Sequence, residues 1–195
     1  HGNLLLLDGG DTWQGSATAL WTHGADMLAA CNLLDVDVMT GHWEFTYGSQ
    51  QVLANLKQFN GDFIAQNVSL SEEAQFLTGA SDTIFKPYVI KEFSAARIAI
   101  IGQAYPYTPI ANPKRLIPDW QFGIQEQRLQ SVVNEIKRQK IADVIVLLSH
   151  NGMAVDLKLA SRVIGIDVIL GGHTHDAVPK PIWVKNASGK TCVTN

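Results

Sequence analysis

Continuous apolar runs, each stopped by glycine or by polar residues, alternate along this chain with stretches whose hydrophobic positions recur every three or four residues. The first run, residues 4–7, is four leucines halted by Asp8-Gly9-Gly10-Asp11, the pattern of a buried strand opening into a loop. Residues 16–34 follow as a predicted helix, 36–40 as a second strand ending in Gly41-His42-Trp43-Glu44, 49–59 as a helix and 62–68 as a third strand. Residues 84–93 and 97–102 read as neighbouring strands around a turn at Ser94-Ala95-Ala96. Residues 103–122 hold four of the seven prolines together with Tyr105 and Tyr107, which predicts a long irregular loop that overhangs something. The clearest amphipathic helix is 123–140, with Ile124, Leu129, Val132, Val133 and Ile136 on one stripe and charged or amide side chains on the other. A buried strand over 143–148 ends in Ser149-His150-Asn151-Gly152, a helix covers 155–164, and a strand over 167–170 ends in Gly171-Gly172-His173-Thr174-His175. Two further strands, 182–184 and 191–193, complete an α/β pattern.

Composition narrows the function classes. The 195 residues are 46% hydrophobic and 17% charged, enough apolar material for one well-buried domain. Fifteen Lys and Arg against eighteen Asp and Glu leave a net charge of −3 with no basic concentration, which excludes bulk-charge binding to nucleic acid or to an anionic membrane. The apolar runs fall far short of the roughly 20 residues of a membrane helix. Cys31 and Cys192 are too few for a disulfide scaffold and lack the close spacing of a thiolate metal site, so they read as unpaired, buried thiols.

The chemistry collects at strand ends. Asp11 follows the first strand, His42 the second, His150 a later one, and His173 and His175 the last; four of the six histidines lie there. In an α/β sheet these ends face the crevice where ligands bind, so residues distant in sequence converge. One carboxylate with several imidazoles suits borderline divalent metals such as manganese or zinc, whereas magnesium or calcium calls for mostly oxygen ligands. His173 and His175 would face one side if their segment were extended, and could then serve one metal or two. Five ligands exceed one tetrahedral site and fall short of two full ones, which predicts two metals sharing a carboxylate, with Asp11 as the bridge. His1 and His23 lie off the strand ends and read as structural or solvated, and Asp8 as a cap of the Gly9-Gly10 turn.

These blocks resemble the calcineurin-like metallophosphoesterases of the 5′-nucleotidase branch. Gly10-Asp11, Gly41-His42-Trp43-Glu44, Ser149-His150-Asn151-Gly152 and Gly172-His173-Thr174-His175 stand in that family's order, while its leading Asp-x-His block has no counterpart. The resemblance implies a four-layer α/β/β/α sandwich, present as a fragment: a single catalytic domain over 1–195, cut at both ends, without its first metal-ligand strand. It implies that Asp11 bridges, that His42, His150 and His173 complete one metal, and that His175 serves the other; Asp11, His42 and His150 are the expected catalytic set. Glu44 and Asn151 would support ligands by hydrogen bonds. The family's usual Asn-His pair is replaced here by His42-Trp43. That exchange, with Asp8-Gly9-Gly10-Asp11-Thr12-Trp13-Gln14-Gly15-Ser16 and Phe45-Thr46-Tyr47-Gly48, is similar to the SoxB sulfate thiohydrolases of bacterial thiosulfate oxidation.

A chemical reason supports the exchange. An alkoxide leaving a phosphate ester gains from a nearby acid, whereas a sulfur leaving group is a weaker base and loses little when indole replaces imidazole. The resemblance therefore implies hydrolysis of a cysteine S-thiosulfonate or S-sulfonate on a SoxYZ-type sulfur carrier protein, releasing sulfate, with two divalent ions of manganese or zinc and a periplasmic location. Trp13, Trp43, Tyr47, Tyr105 and Tyr107 are candidates to line the mouth. The rival readings are a 5′-nucleotidase or cyclic-nucleotide phosphodiesterase, and a non-catalytic metal-binding docking domain. The two-metal assignment also predicts that the 195-residue piece alone is inactive.

Overall fold

The computed structural model describes residues 4–187 and 189–195. Its first half contains β1 (Leu7–Asp8), α1 (Ala17–Thr22), α2 (Ala25–Leu33), β2 (Val38–Met39), α3 (Ser49–Leu56), β3 (Asp62–Phe63), β4 (Val68–Leu70) and α4 (Glu72–Thr78). The second half adds β5 (Tyr88–Glu92), β6 (Arg97–Gln103), α5 (Thr108–Ala111), β7 (Trp120–Phe122), α6 (Glu126–Gln139), β8 (Val144–Ser149), α7 (Met153–Arg162), β9 (Val168–Leu170), β10 (Ile182–Asn186) and β11 (Gly189–Thr194).

Two sheets carry the fold. β1, β2 and β3 pair in parallel, in that order. The larger sheet runs β10-β11-β9-β8-β6-β5; its inner pairs, β6 with β8, β8 with β9 and β9 with β11, are parallel, and antiparallel hairpins close both edges. Side chains alternate faces along a strand, and β6 shows the consequence. Ile100 joins Val38, Ile64 and Leu148 between the two sheets, whereas Ala99 and Ile101 join Leu129, Val133 and Ile136 of α6 on the outer face. A third cluster, including Leu28, Met39, Phe45, Val52 and Phe63, packs α2 and α3 against the smaller sheet. The order helix, sheet, sheet, helix is the expected α/β/β/α sandwich.

Several boundaries differ from the sequence pattern. The helix expected over 16–34 starts as anticipated, with the Ser16 hydroxyl accepting the Ala19 N–H at 3.0 Å, but breaks after Thr22. There His23 and Gly24 take positive φ (52° and 81°), so the apolar faces of α1 and α2 turn independently. The strand expected over 62–68 divides: β3 stays in the small sheet, while β4 pairs antiparallel with β7. The proline-rich 103–122 segment is not wholly irregular, since it holds α5, a short 3-10 turn at Lys114–Leu116 and β7. The helix α4 carries no apolar stripe that would announce it, and Ser71 caps it. In α6 the buried positions are Leu129, Val132, Val133 and Ile136, as the periodicity predicts. Cys31 and Cys192 are both unpaired; Cys31 is buried and Cys192 only partly so, which corrects the expectation that both are interior. His1 lies outside the described residues.

Candidate metal centre

Both sheets deliver their strand ends to one place. β1 and β2 release the loops that carry Asp11 and His42; β8 and β9 release those that carry His150 and His173. Ligand atoms of these four residues lie within 4.8 Å of one another. His42 Nδ1 is 3.0 Å from Asp11 Oδ1, His150 Nε2 is 3.1 Å from Asp11 Oδ2, and the two ring nitrogens are 3.2 Å apart. Metal–ligand bonds of about 2.1 Å separate neighbouring donors by roughly 3.0–3.4 Å in octahedral or tetrahedral geometry. The three separations fall in that range, with the two imidazoles meeting different oxygens of Asp11, and the donor set of one carboxylate and three imidazoles is consistent with a divalent transition metal.

The ring of His150 is oriented from behind. Its Nδ1 donates to the Gly9 carbonyl at 2.7 Å, which leaves Nε2 pointing into the cluster. Burial opposes charge on His150, but the hydrogen bond and charge of Asp11 outweigh it and push the imidazole above its ordinary pKa. Burial likewise works against the Asp11 carboxylate, yet hydrogen bonds from His150 and His42 hold it far below the usual carboxylate range. His173 is pushed down, by burial first and then by the neighbouring His150 and His42.

Close backbone approach makes this convergence possible. A Cβ on Gly172 would stand 3.3 Å from His150 Nδ1, and one on Gly152, whose φ is 90°, would stand 2.9 Å from Thr174 Cγ2. Glycine at both positions lets the β8 and β9 loops press together. Asp11 and His173 themselves take positive φ, 69° and 77°, a conformation that aspartate and histidine tolerate better than most residues.

Glu44 joins the loops of the small sheet. It is fully buried; Oε2 accepts the backbone N–H of His42 at 2.7 Å and of Asp11 at 3.2 Å, while Oε1 accepts those of Thr12 at 2.7 Å and Trp13 at 3.2 Å. Its support thus reaches the ligands through their backbone rather than their side chains.

No family profile matches the chain. Among solved structures, the Thermus thermophilus sulfate thiohydrolase SoxB is similar at 40% identity and a TM-score of 0.86, over 97% of this chain and 33% of that one. A 5′-nucleotidase precursor, also from Thermus thermophilus, is similar at 32% identity and a TM-score of 0.81, over 97% of this chain and 39% of that one. Among curated proteins, the snake venom 5′-nucleotidase of Crotalus adamanteus is 29% identical over 177 residues, 90% of this chain and 29% of its own length. The chain has the metallophosphoesterase fold and is similar in sequence to proteins of the 5′-nucleotidase group. It spans about a third of the length of the relatives it matches.

The other candidate residues fare unevenly. His175 is exposed and lies outside the four-residue group. The premise that it shares a side with His173 does not hold, because the segment is not extended: His175 has φ 53°. Trp13, expected at the mouth, is fully buried in the core with its ring 6.3 Å from Phe63, so it lines no substrate path. Tyr47 spends its hydroxyl on the carbonyls of Trp13 (2.8 Å) and Ala19 (3.0 Å), and it borders a cavity of about 420 Å³ that contains none of the four cluster residues. Trp43 stays beside the cluster, its ring 4.8 Å from that of His42 and its backbone N–H donating to Asp11 Oδ1 at 3.1 Å.

Tyr105 is the aromatic that meets the cluster most directly, its ring centroid 4.0 Å from His42 and 4.3 Å from His173. Tyr107, 43% exposed, packs edge-on against it at 5.8 Å. The proline-rich segment therefore does overhang the strand ends. Asp8 caps its turn as expected, accepting from the Gly10 N–H at 2.9 Å and the Thr12 hydroxyl at 2.7 Å. Asn151 does not touch a ligand side chain; its Oδ1 accepts from Gln103 at 3.1 Å and its amide donates to Asp156 at 3.0 Å. Asp156 is not among the residues that the strand-end pattern points to, although a carboxylate on the stripe shared with Leu159 and Ala160 is a legible signal.

Proposed function

We propose that this chain is the metal-holding part of a hydrolase that releases sulfate from a cysteine S-thiosulfonate or S-sulfonate on a sulfur carrier protein of the SoxYZ type, in the periplasm. The observation that carries the reading is the His42-Trp43 pair at the cluster, within a chain 40% identical to a sulfate thiohydrolase over 97% of its length. No helix among the described residues is long and apolar enough to cross a membrane, which fits a carrier-borne substrate reached from water.

Asp11, His42, His150 and His173 would hold one divalent ion, manganese or zinc. A second ion would draw on Asp11 and His175. Bound there, such ions supply positive charge that stabilises developing oxyanions and raises the acidity of water. The chain's own residues do the rest. Gly9 and Glu44 fix the ligand loops before substrate arrives, so no reorganisation is needed during reaction. Trp43 offers an apolar face and no titrating proton beside His42, which suits a leaving sulfur that departs as thiolate or persulfide. Tyr105 adds a second aromatic wall, and sulfur packs favourably against aromatic rings.

The rival reading, a 5′-nucleotidase, is favoured by the curated relatives at 28–30% identity. A product assay on the intact protein with manganese separates the two. Offered a carrier cysteine S-thiosulfonate and a nucleoside monophosphate together, the enzyme is expected to release sulfate; phosphate alone would move it to the nucleotidases.

A further inference from the structure

Two carboxylates are fully buried near the cluster, and they are satisfied very differently. Glu44 takes four backbone N–H groups, whereas Asp156 takes two donors on Oδ1 and its Oδ2 has no hydrogen-bond partner among the described residues. Asp156 sits in the first turn of α7, on the stripe of Leu159 and Ala160, where an apolar side chain would bury at no desolvation cost. Its contacts explain the exception. Oδ1 accepts from the Ser149 hydroxyl at 2.6 Å and from the Asn151 amide at 3.0 Å, the residues on either side of His150. The Asn151 N–H in turn donates to Ser149 Oγ at 3.2 Å, closing the ring of bonds around the His150 backbone.

Oδ2 reaches the neighbouring loop. A Cβ on Gly171 would stand 2.9 Å from it, and Gly171, two residues before His173, is pinned on its other side by donating to the Thr194 carbonyl at 2.8 Å. Asn151 also continues the network away from α7. Its Oδ1 accepts from Gln103 at the end of β6, and Gln103 Oε1 accepts from Gln66, just beyond β3, at 2.6 Å. A line of buried side chains thus runs from the small sheet, under the cluster, to Asp156.

We propose that Asp156 is a positioning residue that clamps the loop carrying His150 by hydrogen bonds and packs it against the loop carrying His173, and so sets the affinity of the Asp11, His42, His150 and His173 group for a divalent cation. The proposal rests on reading that group as a metal centre. Burial pushes the Asp156 carboxyl up to about 6, in keeping with an Oδ2 that lacks a donor.

Manganese titration calorimetry on the intact protein tests it, with the unfolding of each variant measured separately so that only folded protein is compared. Asp156→Ala is expected to weaken manganese binding by about 10- to 100-fold, the usual cost of losing a group that supports metal ligands. Asp156→Asn keeps an acceptor oxygen for Ser149 and Asn151 and is expected to stay within about threefold of the parent. Parent affinity in folded Asp156→Ala, or a loss in Asp156→Asn as large as in Asp156→Ala, would overturn the proposal. Should Asp156→Ala fail to fold, Ser149→Ala removes one hydroxyl of the clamp and is expected to cost about fivefold; parent affinity there also overturns it. His150→Ala separates the two readings: if it binds manganese like the parent, the metal centre itself is wrong, whatever Asp156 does.

Discussion

The carboxylate of Glu44 accepts the backbone N–H of Thr12 at 2.7 Å, across 32 residues of sequence. With its bonds to Asp11, Trp13 and His42, this makes one side chain the joint between the loops that follow β1 and β2. Glu44→Gln replaces one acceptor oxygen by a donor that faces other donors, in a site closed to water. It is expected to destabilise the fold by about 2–4 kcal/mol, read as a lower urea midpoint at unchanged slope. A loss under about 0.5 kcal/mol would mean that the loops are held by their strands alone.

Metal binding is expected to stabilise the folded chain. At a manganese concentration about 100 times the dissociation constant, the gain is about 2.7 kcal/mol, seen as a higher melting temperature that a chelator reverses. His42→Ala or His150→Ala is expected to abolish the shift, while His175→Ala, outside the four-residue group, should leave much of it. A shift that survives in His150→Ala would place the metal elsewhere.

Trp43 gives the chemical reading its sharpest check. Restoring a titrating imidazole with Trp43→His is expected to raise phosphate monoester hydrolysis by about 10- to 100-fold, with little or no gain in sulfate release. Parallel rate measurements on both substrates decide it, and an unchanged ratio would remove Trp43 from the account of the leaving group.

Asp156 predicts a pH dependence with a definite sign. Its folded value of about 6 lies above the ordinary 3.8, so the folded chain binds more protons than the unfolded one between these values. The stability this group contributes is therefore present below about pH 4 and lost as pH rises through 6, a change of about 3 kcal/mol. Asp11 and Asp62, both shifted down, act in the opposite sense as pH falls, and His150, shifted up, acts at higher pH. The difference between parent and Asp156→Asn isolates the effect: urea unfolding of metal-free protein from pH 4.5 to 7.5 should show the variant gaining on the parent as pH rises. Parallel curves would show that Asp156 titrates alike in both states.

Periodicity locates most elements because each residue reports its own face. The α6 stripe of Leu129, Val132, Val133 and Ile136 is buried as written, and the apolar run before His150 is a central strand. Where two conformations compete locally, the pattern misleads. It runs one helix through Gly24, where the chain breaks, and it joins 62–68 into one strand although the two ends pair with different partners. Trp13 lies five residues from Asp8 in a loop full of polar neighbours, yet it packs on Phe63 within the cluster that holds Phe45, a choice made by distant side chains.

By itself the sequence determined the alternation of strands and helices, the metal-type donors at four strand ends, and the exchange at His42-Trp43, because these depend on residue type and near-neighbour spacing. The family resemblance grouped Asp11 with His42, His150 and His173, and the tertiary structure supplied their geometry. That structure drew Asp11, His42, His150 and His173 within 4.8 Å and left His175 exposed, because positive φ at Asp11, His173 and His175 aims each side chain independently of strand register. It also showed how they are held: Glu44, already marked in the sequence as a support, acts through backbone N–H groups, and the Gly9 carbonyl orients the His150 ring, contacts whose proximity follows from two sheets facing each other.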